Sequence, residues 1–396
     1  MKRILLSGPL LSNSGYGVHS RQVFSYLNSL KNVKIFCNIL NWGNLPWHLS
    51  DEYTSNNYKD IIENYVPESQ LTNLTFEESY TVSYPHEWLF YGIDKNIGIT
   101  AGVETDIVPF HWLKYINKAD QVICTSNFTA EAFYNTAKIK EFELNKKLDV
   151  IYQYFYDDFK LESLNSLSCL ENIKTKNNLL LIGQLTDVDF KNDRKNILNS
   201  IESLVRILSN VEDSGLIIKT SMGNNSYLDF LKIKKMFSKY KNSLVNELGD
   251  KIPKIYILHG NMKPLELKSL YSSDKVSALV SLSKGEGFGL TLLEAAYCGL
   301  PILATNHSAY TEFLNDSFIK IDYKLEDLPL NKIDNKVFCK NSKWAIYENK
   351  SLHMNVLKFF NNKSLYDNIS KDLQVIIRNN FNKESVFLEY KLCLDH

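Results

Sequence analysis

Two glutamates flank a glycine-rich turn in the stretch SLSKGEGFGLTLLEAAYCGLP, which covers residues 281–301. Glu286 lies in the turn, and Glu294 lies in the segment that follows it. Glycines such as Gly287 and Gly289 let a backbone approach a ligand closely. A carboxylate repels a phosphate but accepts hydrogen bonds from hydroxyl groups. The pattern therefore indicates two carboxylates that hold sugar-like hydroxyls beside a phosphate, although a surface glutamate and a helical glutamate around a turn would give the same spacing.

The residues around this turn predict a strand, a loop, a short helix and a second strand. Val276–Leu282 is an apolar run typical of a strand, and Thr291–Tyr297 contains strong helix formers. Gly299 ends the helix, and Pro301–Ala304 is the next strand. Free amides at Gly289–Thr291 and the helix dipole would form an anion site suited to a diphosphate. That site would lie at the carboxyl end of the strand, where doubly wound sheets bind ligands.

The same alternation of short apolar runs and longer helical patterns extends along the whole chain. Strands that alternate with helices form parallel sheets, and two such sets indicate an α/β protein of two doubly wound, Rossmann-like domains. The boundary is predicted in residues 156–178, which are polar and have no strand pattern. The predicted strands are Arg3–Leu6, Val33–Cys37, Tyr80–Ser83, Ile97–Ala101, Gln121–Cys124, Val150–Tyr152, Leu179–Ile182, Leu216–Lys219, Ile255–Leu258, Val276–Leu282, Pro301–Ala304 and Phe318–Ile321.

Length and composition narrow the class of protein. The chain has 396 residues, which is more than one hydrophobic core usually holds. Its formal net charge is zero, so no overall field attracts nucleic acid. No stretch approaches the roughly 20 apolar residues of a membrane helix, and the first apolar run is too short for a signal peptide. The six cysteines are scattered and are expected to be reduced and buried, as in a cytosolic protein.

The stretch GEGFGLTLLEAAYCGLPILAT resembles the E-x7-E signature of retaining GT-B glycosyltransferases of family 4, the "group 1" type. The resemblance implies the GT-B fold, in which two Rossmann-like domains face each other across a cleft. It implies an acceptor-binding domain over residues 1–160 and a nucleotide-sugar-binding domain over residues 175–380. A C-terminal helix at about residues 382–396 would cross back to the first domain.

The resemblance also implies roles for individual residues of the second domain. Glu294 would bind the ribose hydroxyls, and Glu286 would bind the transferred sugar. Arg194 and Lys195 match a basic pair that neutralises the leaving diphosphate, although a surface pair at a helix start is the alternative. Many members have an arginine where this chain has Gln184, so the number of cations at the diphosphate stays open. The turn that would hold the diphosphate and its sugar contains Gly287, Phe288, Gly289, Leu290 and Thr291.

Two further residues of the second domain match positions beside the nucleotide. Lys219 ends a predicted strand, as in family members with a similar I-K-T segment. It would line the nucleotide pocket or have a structural role, and the sequence favours neither. Gly260 lies in the stretch HGNMKPLELKSLY, which begins at His259 and matches the loop and helix beside the base pocket, where the backbone often contacts the base.

The first domain is expected to bind the acceptor. Gly15, Tyr16 and Gly17 follow the first predicted strand and resemble a glycine loop that approaches the diphosphate and the acceptor. Glu104 follows a later strand at a position near which many relatives have a histidine. It would replace that histidine or bind an acceptor hydroxyl, and a capping or buried paired carboxylate is the alternative.

Other chemically capable residues have plainer interpretations. His86 and His111 are flanked by aromatic residues and are expected to be packed rather than to act as bases. Trp88, Trp112 and nearby tyrosines would form a sugar-stacking wall or, more simply, part of the core. Asp187-Val188-Asp189 fits the D-x-D metal signature of the GT-A architecture, but three residues are a weak signal, and cations and a helix N-terminus already supply the charge. No metal or other cofactor is therefore expected.

Residues 232–241 are rich in lysine. Leu231, Met236 and Phe237 fit one face of a helix there, so the lysines are interpreted as a solvated face rather than as a membrane or polyanion site.

The resemblance implies transfer of a sugar from a UDP- or GDP-type donor to a hydroxyl acceptor, with retention at the anomeric carbon. The expected partners are a nucleotide sugar and a glycan, lipid-linked or protein acceptor, in the cytoplasm or at the inner face of a membrane. A sugar phosphorylase, a nucleotide-sugar epimerase and a catalytically silent nucleotide-sugar-binding subunit are the alternatives. A phosphorylase that uses pyridoxal phosphate would need a cofactor lysine, which the sequence does not identify.

Overall fold

The structure, a computed structural model, describes residues 1–42, 57–162, 167–185, 187, 189, 191–223 and 225–394. Contacts divide the chain into two units. Unit 1 contains Met1–Tyr154, Ile333–Ser342 and Lys383–His396. Unit 2 contains Phe155–Lys332 and Lys343–Asn382.

Unit 1 is built on one parallel sheet with helices packed on it. Its strands are β1 (Lys2–Gly8), β2 (Val33–Ile39), β3 (Phe76–Val82), β4 (Gly92–Thr100), β5 (Gln121–Cys124) and β6 (Leu148–Val150). Its helices are α1 (Gly15–Asn28), α2 (Asn57–Glu63), α3 (Glu68–Leu71), α4 (Phe110–Lys118), α5 (Asn127–Ile139) and, from the end of the chain, α14 (Lys383–Leu394).

In unit 1 the described strands pair in the order β2-β1-β3-β4-β5-β6, and every pairing is parallel. The strand order reverses between β1 and β3, so the carboxyl ends of these two strands border the natural ligand crevice of such a sheet. Helix α14 packs on this unit through Val386, Tyr390 and Leu394, which are buried in its core.

Unit 2 is also built on a parallel sheet with helices packed on it, but its strands pair in a different order. Its strands are β7 (Asn177–Gln184), β8 (Ser214–Ser221), β9 (Lys254–His259), β10 (Ala278–Ser281), β11 (Ile302–Thr305), β12 (Ile319–Ile321), β13 (Tyr323–Asp327) and β14 (Lys343–Tyr347). Its helices are α6 (Ser168–Glu171), α7 (Ile197–Leu208), α8 (Tyr227–Leu248), α9 (Pro264–Tyr271), α10 (Leu290–Tyr297), α11 (Thr311–Leu314), α12 (Asn349–Asn361) and α13 (Lys363–Asn380).

In unit 2 the described strands of the parallel sheet pair in the order β12-β11-β10-β7-β8-β9. This is the Rossmann order, and it places the reversal between β7 and β10. Leu180 of β7 pairs with Leu279 of β10, so the loops that follow these two strands leave the sheet side by side. The strands β7, β8, β10, β11 and β12 are largely buried, as parallel strands covered by helices are, whereas the edge strand β9 is only partly buried.

Each of the twelve predicted strands overlaps a strand of the two parallel sheets, and the predicted α/β class is confirmed. The sequence analysis missed the antiparallel pair of β13 and β14. Strand β13 is largely exposed and follows a predicted strand directly, whereas β14 is mostly buried. The sequence analysis also missed that the connection between them, Ile333–Ser342, belongs to unit 1. There the carbonyl of Lys336 accepts a hydrogen bond from the Trp112 indole over 3.0 Å.

All six cysteines are free thiols, but the prediction that they are buried holds only for Cys37 and Cys124. The other four are partly buried, because they lie near helix ends and in the β13–β14 connection rather than in strands. None of the helices in the described ranges is long and apolar enough to cross a bilayer.

Candidate active site

The glycine-rich turn joins β10 to α10 at the reversal point of the unit 2 sheet. Gly289 precedes the helix with φ of +99°, a conformation that disfavours any side chain, and a Cβ there would lie 3.1 Å from the Cβ of Tyr310. The amides of Gly289, Leu290 and Thr291 have no hydrogen-bond partner among the described residues. Unpaired amides at a helix N-terminus attract an anion, as the sequence predicted for this turn.

The rest of the turn is fixed by packing. Phe288 is buried, and its ring lies 5.3 Å from that of Phe313. The amide of Glu286 donates to Ser308 Oγ over 3.1 Å. The turn is therefore held rigidly while its last amides stay open, which is the condition for preorganised anion binding.

Glu286 is buried and lies in an ion cluster with the basic pair. Lys195 Nζ lies 2.7 Å from Oε1 and 2.9 Å from Oε2 of this carboxylate, and Arg194 Nη1 lies 3.5 Å from Oε2. Burial raises the pKa of Glu286, but Lys195 and Arg194 outweigh burial and hold the pKa below its usual value. The carboxylate is therefore ionised at neutral pH.

Arg194 and Lys195 lie in the loop between β7 and α7, beside the turn. Arg194 donates to the carbonyl of Gly285 over 2.8 Å, and its own carbonyl accepts from the Lys284 amide over 3.0 Å. The two side chains are only 19% and 23% exposed, so the alternative of a surface pair at a helix start is wrong. With Glu286 they sum to one net positive charge (+2 − 1) beside the open amides.

Glu294 is the fifth of the eight residues of α10 and is buried. Its Oε2 accepts a hydrogen bond from the Tyr271 hydroxyl over 3.1 Å. Burial raises the pKa of Glu294 to about 8, with Tyr271 opposing the shift. A neutral carboxyl group at neutral pH can both donate to and accept from a hydroxyl. The sequence analysis missed Tyr271, the last residue of α9, because nothing in its local pattern shows which helix it faces.

The raised pKa of Glu294 predicts a pH-dependent stability. Between pH 4.5 and about 8 the folded protein keeps a proton that the unfolded chain has released. The free energy of unfolding therefore falls as pH rises through this range, by up to about 1.4 kcal/mol per pH unit. Glu294→Gln does not titrate, so we expect its stability relative to the wild type to increase from about pH 5 to about pH 8. Urea denaturation at several pH values measures this difference, and a constant difference would contradict the shift.

Lys219 and Gly260 lie together at the carboxyl ends of β8 and β9. Lys219 is buried and its Nζ donates to the carbonyl of Gly260, while burial lowers the pKa of Lys219 to about 8. Gly260 has φ of +100° and open space where a Cβ would lie, so its backbone conformation rather than crowding favours glycine. The contact supports the structural alternative for Lys219, and a role beside the nucleotide stays a prediction.

The carboxylates of the D-x-D pattern have partners within their loop and beyond it. Asp187 accepts from the amide of Asp189 over 3.0 Å and forms an ion pair with Lys332 over 3.2 Å. Within the described ranges, no three His, Cys, Asp or Glu side chains are arranged to hold a metal ion.

The residues of unit 1 that were predicted to form a glycine loop belong to a helix instead. Gly15, Tyr16 and Gly17 form the first turn of α1, and Ser14 caps this helix by accepting from the Gly17 amide over 3.0 Å. A Cβ on Gly17 would lie 2.1 Å from the carbonyl oxygen of Ser12. Gly17 is thus required by packing against its own preceding loop, whereas Gly15 is exposed and has open space around it.

Tyr16 brings the predicted residues of unit 1 together. Its hydroxyl lies 2.9 Å from Thr100 Oγ1 and accepts from the Ala101 amide over 3.0 Å, at the end of β4. Burial, Tyr84 and, more weakly, Glu104 raise the pKa of Tyr16 well above its usual value. Glu104 is therefore close to this phenol, in the bend after β4, and it is partly buried.

Aromatic rings that the sequence did not connect surround Tyr16. The rings of Trp42 and Tyr84 lie 4.5 and 5.4 Å from it, at the reversal point of the unit 1 sheet. His86 stacks on Trp112 at 5.6 Å, and burial lowers the pKa of His86 to about 4. His86 and the fully buried Trp112 are packed, as predicted, while Tyr16, Trp42 and Tyr84 keep partly exposed surfaces.

The segment that contains the glycine-rich turn is similar to a known protein family. Residues 235–324 match the model of the family described as glycosyl transferases group 1. The matched segment contains Glu286, Glu294, Tyr271, Gly260 and the open amides of the turn. No curated protein shows significant similarity to the chain.

Several solved structures are similar to the chain over nearly its whole length. Anabaena HepE in complex with UDP-glucose has a TM-score of 0.66 and 12% identity, with 100% of both chains covered. A glycosyltransferase of Rickettsia africae has a TM-score of 0.64 and 15% identity, with 99% and 98% covered. Sucrose-phosphate synthase of Thermosynechococcus elongatus has a TM-score of 0.60 and 14% identity, with 100% and 98% covered. At these identities the likeness shows the fold, which is GT-B.

Proposed function

We propose that the protein is a retaining glycosyltransferase of the group 1, family 4 type that moves a sugar from a nucleoside-diphosphate sugar to a hydroxyl acceptor. The observation that carries this proposal is the turn at residues 285–291, where open amides, an ion cluster with net positive charge and a buried carboxyl group converge at a sheet reversal. The group 1 match over this segment and the GT-B fold support the same activity.

We propose a chemical task for each group of the site. The amides of residues 289–291 bind the diphosphate, and Arg194 and Lys195 stabilise the negative charge that develops as it leaves. Glu286, oriented by Lys195, accepts hydrogen bonds from the transferred sugar. Glu294, anchored by Tyr271, binds the ribose hydroxyls.

Retention is proposed to proceed on the face of the sugar from which the diphosphate leaves. The departing phosphate oxygen takes the proton of the acceptor hydroxyl, so the protein needs no separate general base there. The positive charge that develops on the sugar ring is stabilised by the diphosphate itself and by Glu286.

Unit 1 is proposed to bind the acceptor, a glycan, lipid-linked or protein hydroxyl in glycoconjugate or polysaccharide synthesis. Tyr16, Trp42 and Tyr84 offer ring surface on which a sugar can stack, and Glu104 offers a carboxylate for its hydroxyls. We place this reaction in the cytoplasm, at the inner face of a membrane.

A donor screen tests the proposal without knowledge of the acceptor. The protein is incubated with UDP- and GDP-sugars, beginning with UDP-glucose because HepE binds it. We expect slow hydrolysis of one donor with release of a nucleoside diphosphate. An epimerised nucleotide sugar, or turnover that requires inorganic phosphate, would instead favour an epimerase or a phosphorylase. Binding of a donor without turnover in the presence of acceptor extracts would favour a silent binding subunit.

Metal independence is tested in the same assay. Positive side chains and the helix N-terminus supply the charge that a divalent ion would supply in a GT-A enzyme. We therefore expect EDTA to leave the rate of diphosphate release unchanged. A loss of activity that Mg²⁺ or Mn²⁺ restores would show that a metal takes part.

A further inference from the structure

Helix α8 divides its residues between the core of unit 2 and solvent. Ile233, Phe237 and Leu244 are buried in that core. Ser226 and Asp229 form a capping box at its start, so the helix begins with its orientation fixed. Leu231, which the sequence analysis assigned to the buried face, lies on the opposite side and is 41% exposed.

The exposed side of α8 carries large apolar side chains. Tyr227 is 72% exposed and Leu228 is 67% exposed, and Val245 is also exposed nearly five turns later. Because successive residues rotate by about 100°, these side chains and Leu231 lie within an arc of roughly 100°. This apolar strip is concentrated at the start of the helix, in Tyr227, Leu228 and Leu231, because Ser238 and Asn242 occupy the same arc before Val245. It has no evident role in the fold of unit 2, since the opposite side of the helix already supplies the core contacts.

Lysines border this apolar strip on both sides. By the same rotation, Lys234 and Lys241 lie about 20–40° beyond one edge, and Lys232 and Lys239 lie about 20–40° beyond the other. Lys235 lies inside the arc, and all five lysines are exposed. Of the two acids of α8, Asp229 caps the helix and lies 3.5 Å from Lys232, and Glu247 pairs with Arg206. Within the described part of the helix, the other four lysines have no ion pair with these two acids.

We propose that the exposed side of α8 docks on an anionic phospholipid surface. The apolar strip would enter the interface between headgroups and acyl chains, while the flanking lysines extend to the headgroups. A soluble polyanion would use the lysines but gain nothing from Tyr227, Leu228 and Leu231. The chain has no net charge, so the attraction is local to this helix and orients the protein on the membrane. The proposal does not depend on the proposed sugar transfer.

Flotation of the full-length protein with lipid vesicles tests the proposal. We expect binding to vesicles of equal parts phosphatidylcholine and phosphatidylglycerol, and none to phosphatidylcholine alone. Replacing Lys234, Lys239 and Lys241 with Gln is expected to weaken partitioning about fivefold per lysine. Leu228→Ser with Leu231→Ser is expected to weaken it about tenfold.

Matched variants on α12 and α13 control for charge and apolar surface. They replace the exposed Lys350, Lys358 and Lys371 with Gln, or the exposed Leu365 and Val375 with Ser, and are expected to bind vesicles as the wild type does. Equal losses in test and control variants would overturn the proposal. Loss of vesicle binding in the lysine variant but not in the leucine variant would also overturn it and would indicate a soluble polyanion as the ligand. Concentration-dependent dimers that the leucine variant abolishes would overturn it as well, because they would make this face a protein interface.

Discussion

Replacing Lys195 with Met is expected to lower the rate of nucleoside-diphosphate release by about 10²–10³-fold, because a preorganised positive donor at the leaving group is removed. The same change leaves the buried carboxylate of Glu286 without its closest partner. Breaking a buried pair is costly, but Arg194 remains nearby and Lys195 is partly exposed. We therefore expect the free energy of unfolding to fall by about 2–3 kcal/mol. This is at or below the low end of the cost of removing one partner from a buried ion pair, about 3–5 kcal/mol.

A double variant separates the two effects. Glu286→Gln removes the stranded charge, so Lys195→Met combined with Glu286→Gln should recover most of the unfolding free energy but not the rate. Arg206→Met is the matched control, because its pairs with Glu202 and Glu247 are exposed and such pairs contribute at most about 1 kcal/mol. Recovery of the rate in the double variant would mean that the role of Lys195 is structural.

Replacing Glu294 with Ala is expected to weaken UDP or GDP binding by about 10–100-fold, the cost of losing the hydrogen bonds to two ribose hydroxyls. Calorimetry with the nucleoside diphosphate alone measures this effect without any contribution from the sugar. Tyr271→Phe should produce a smaller loss of the same kind, since the carboxyl group remains but loses the donor that orients it.

A dideoxy nucleotide makes the assignment of Glu294 specific. If Glu294 binds the ribose, wild type and Glu294→Ala should bind the 2′,3′-dideoxy nucleoside diphosphate equally weakly. An unfolding midpoint close to that of the wild type shows that the variant is folded. An equal loss of affinity for the ribo and dideoxy forms would instead show that the substitution disturbs the diphosphate turn.

The ion cluster changes the roles that the sequence suggested for its members. The resemblance implied that Glu286 binds the transferred sugar and that Arg194 and Lys195 contact the diphosphate, as separate interactions. The structure joins them, since Lys195 donates hydrogen bonds to both carboxylate oxygens of Glu286. Under the proposed function, an incoming diphosphate would meet a cation already held in place by a carboxylate, which would limit the reorganisation that binding requires.

The sequence alone was enough to predict the features that depend on neighbours along the chain. The strands follow from short apolar runs, and their alternation with helices specifies parallel sheets. The turn at Glu286 and the start and end of α10 follow from Gly289, Gly299 and a following proline. These features are local because backbone conformation and capping depend on residues a few positions apart.

The tertiary structure alone decided which distant residues meet. Lys195 and Glu286 are 91 positions apart, and they pair because β7 and β10 are adjacent in the sheet. The partner of Glu294, Tyr271, follows from the packing of α9 beside α10. Gly17 shows that contacts between residues close in sequence can also be hidden from the sequence pattern. Only glycine fits at this position, because the carbonyl of Ser12 lies against the start of α1. Contacts of this kind depend on strand order and on the directions of side chains, which local periodicity does not contain.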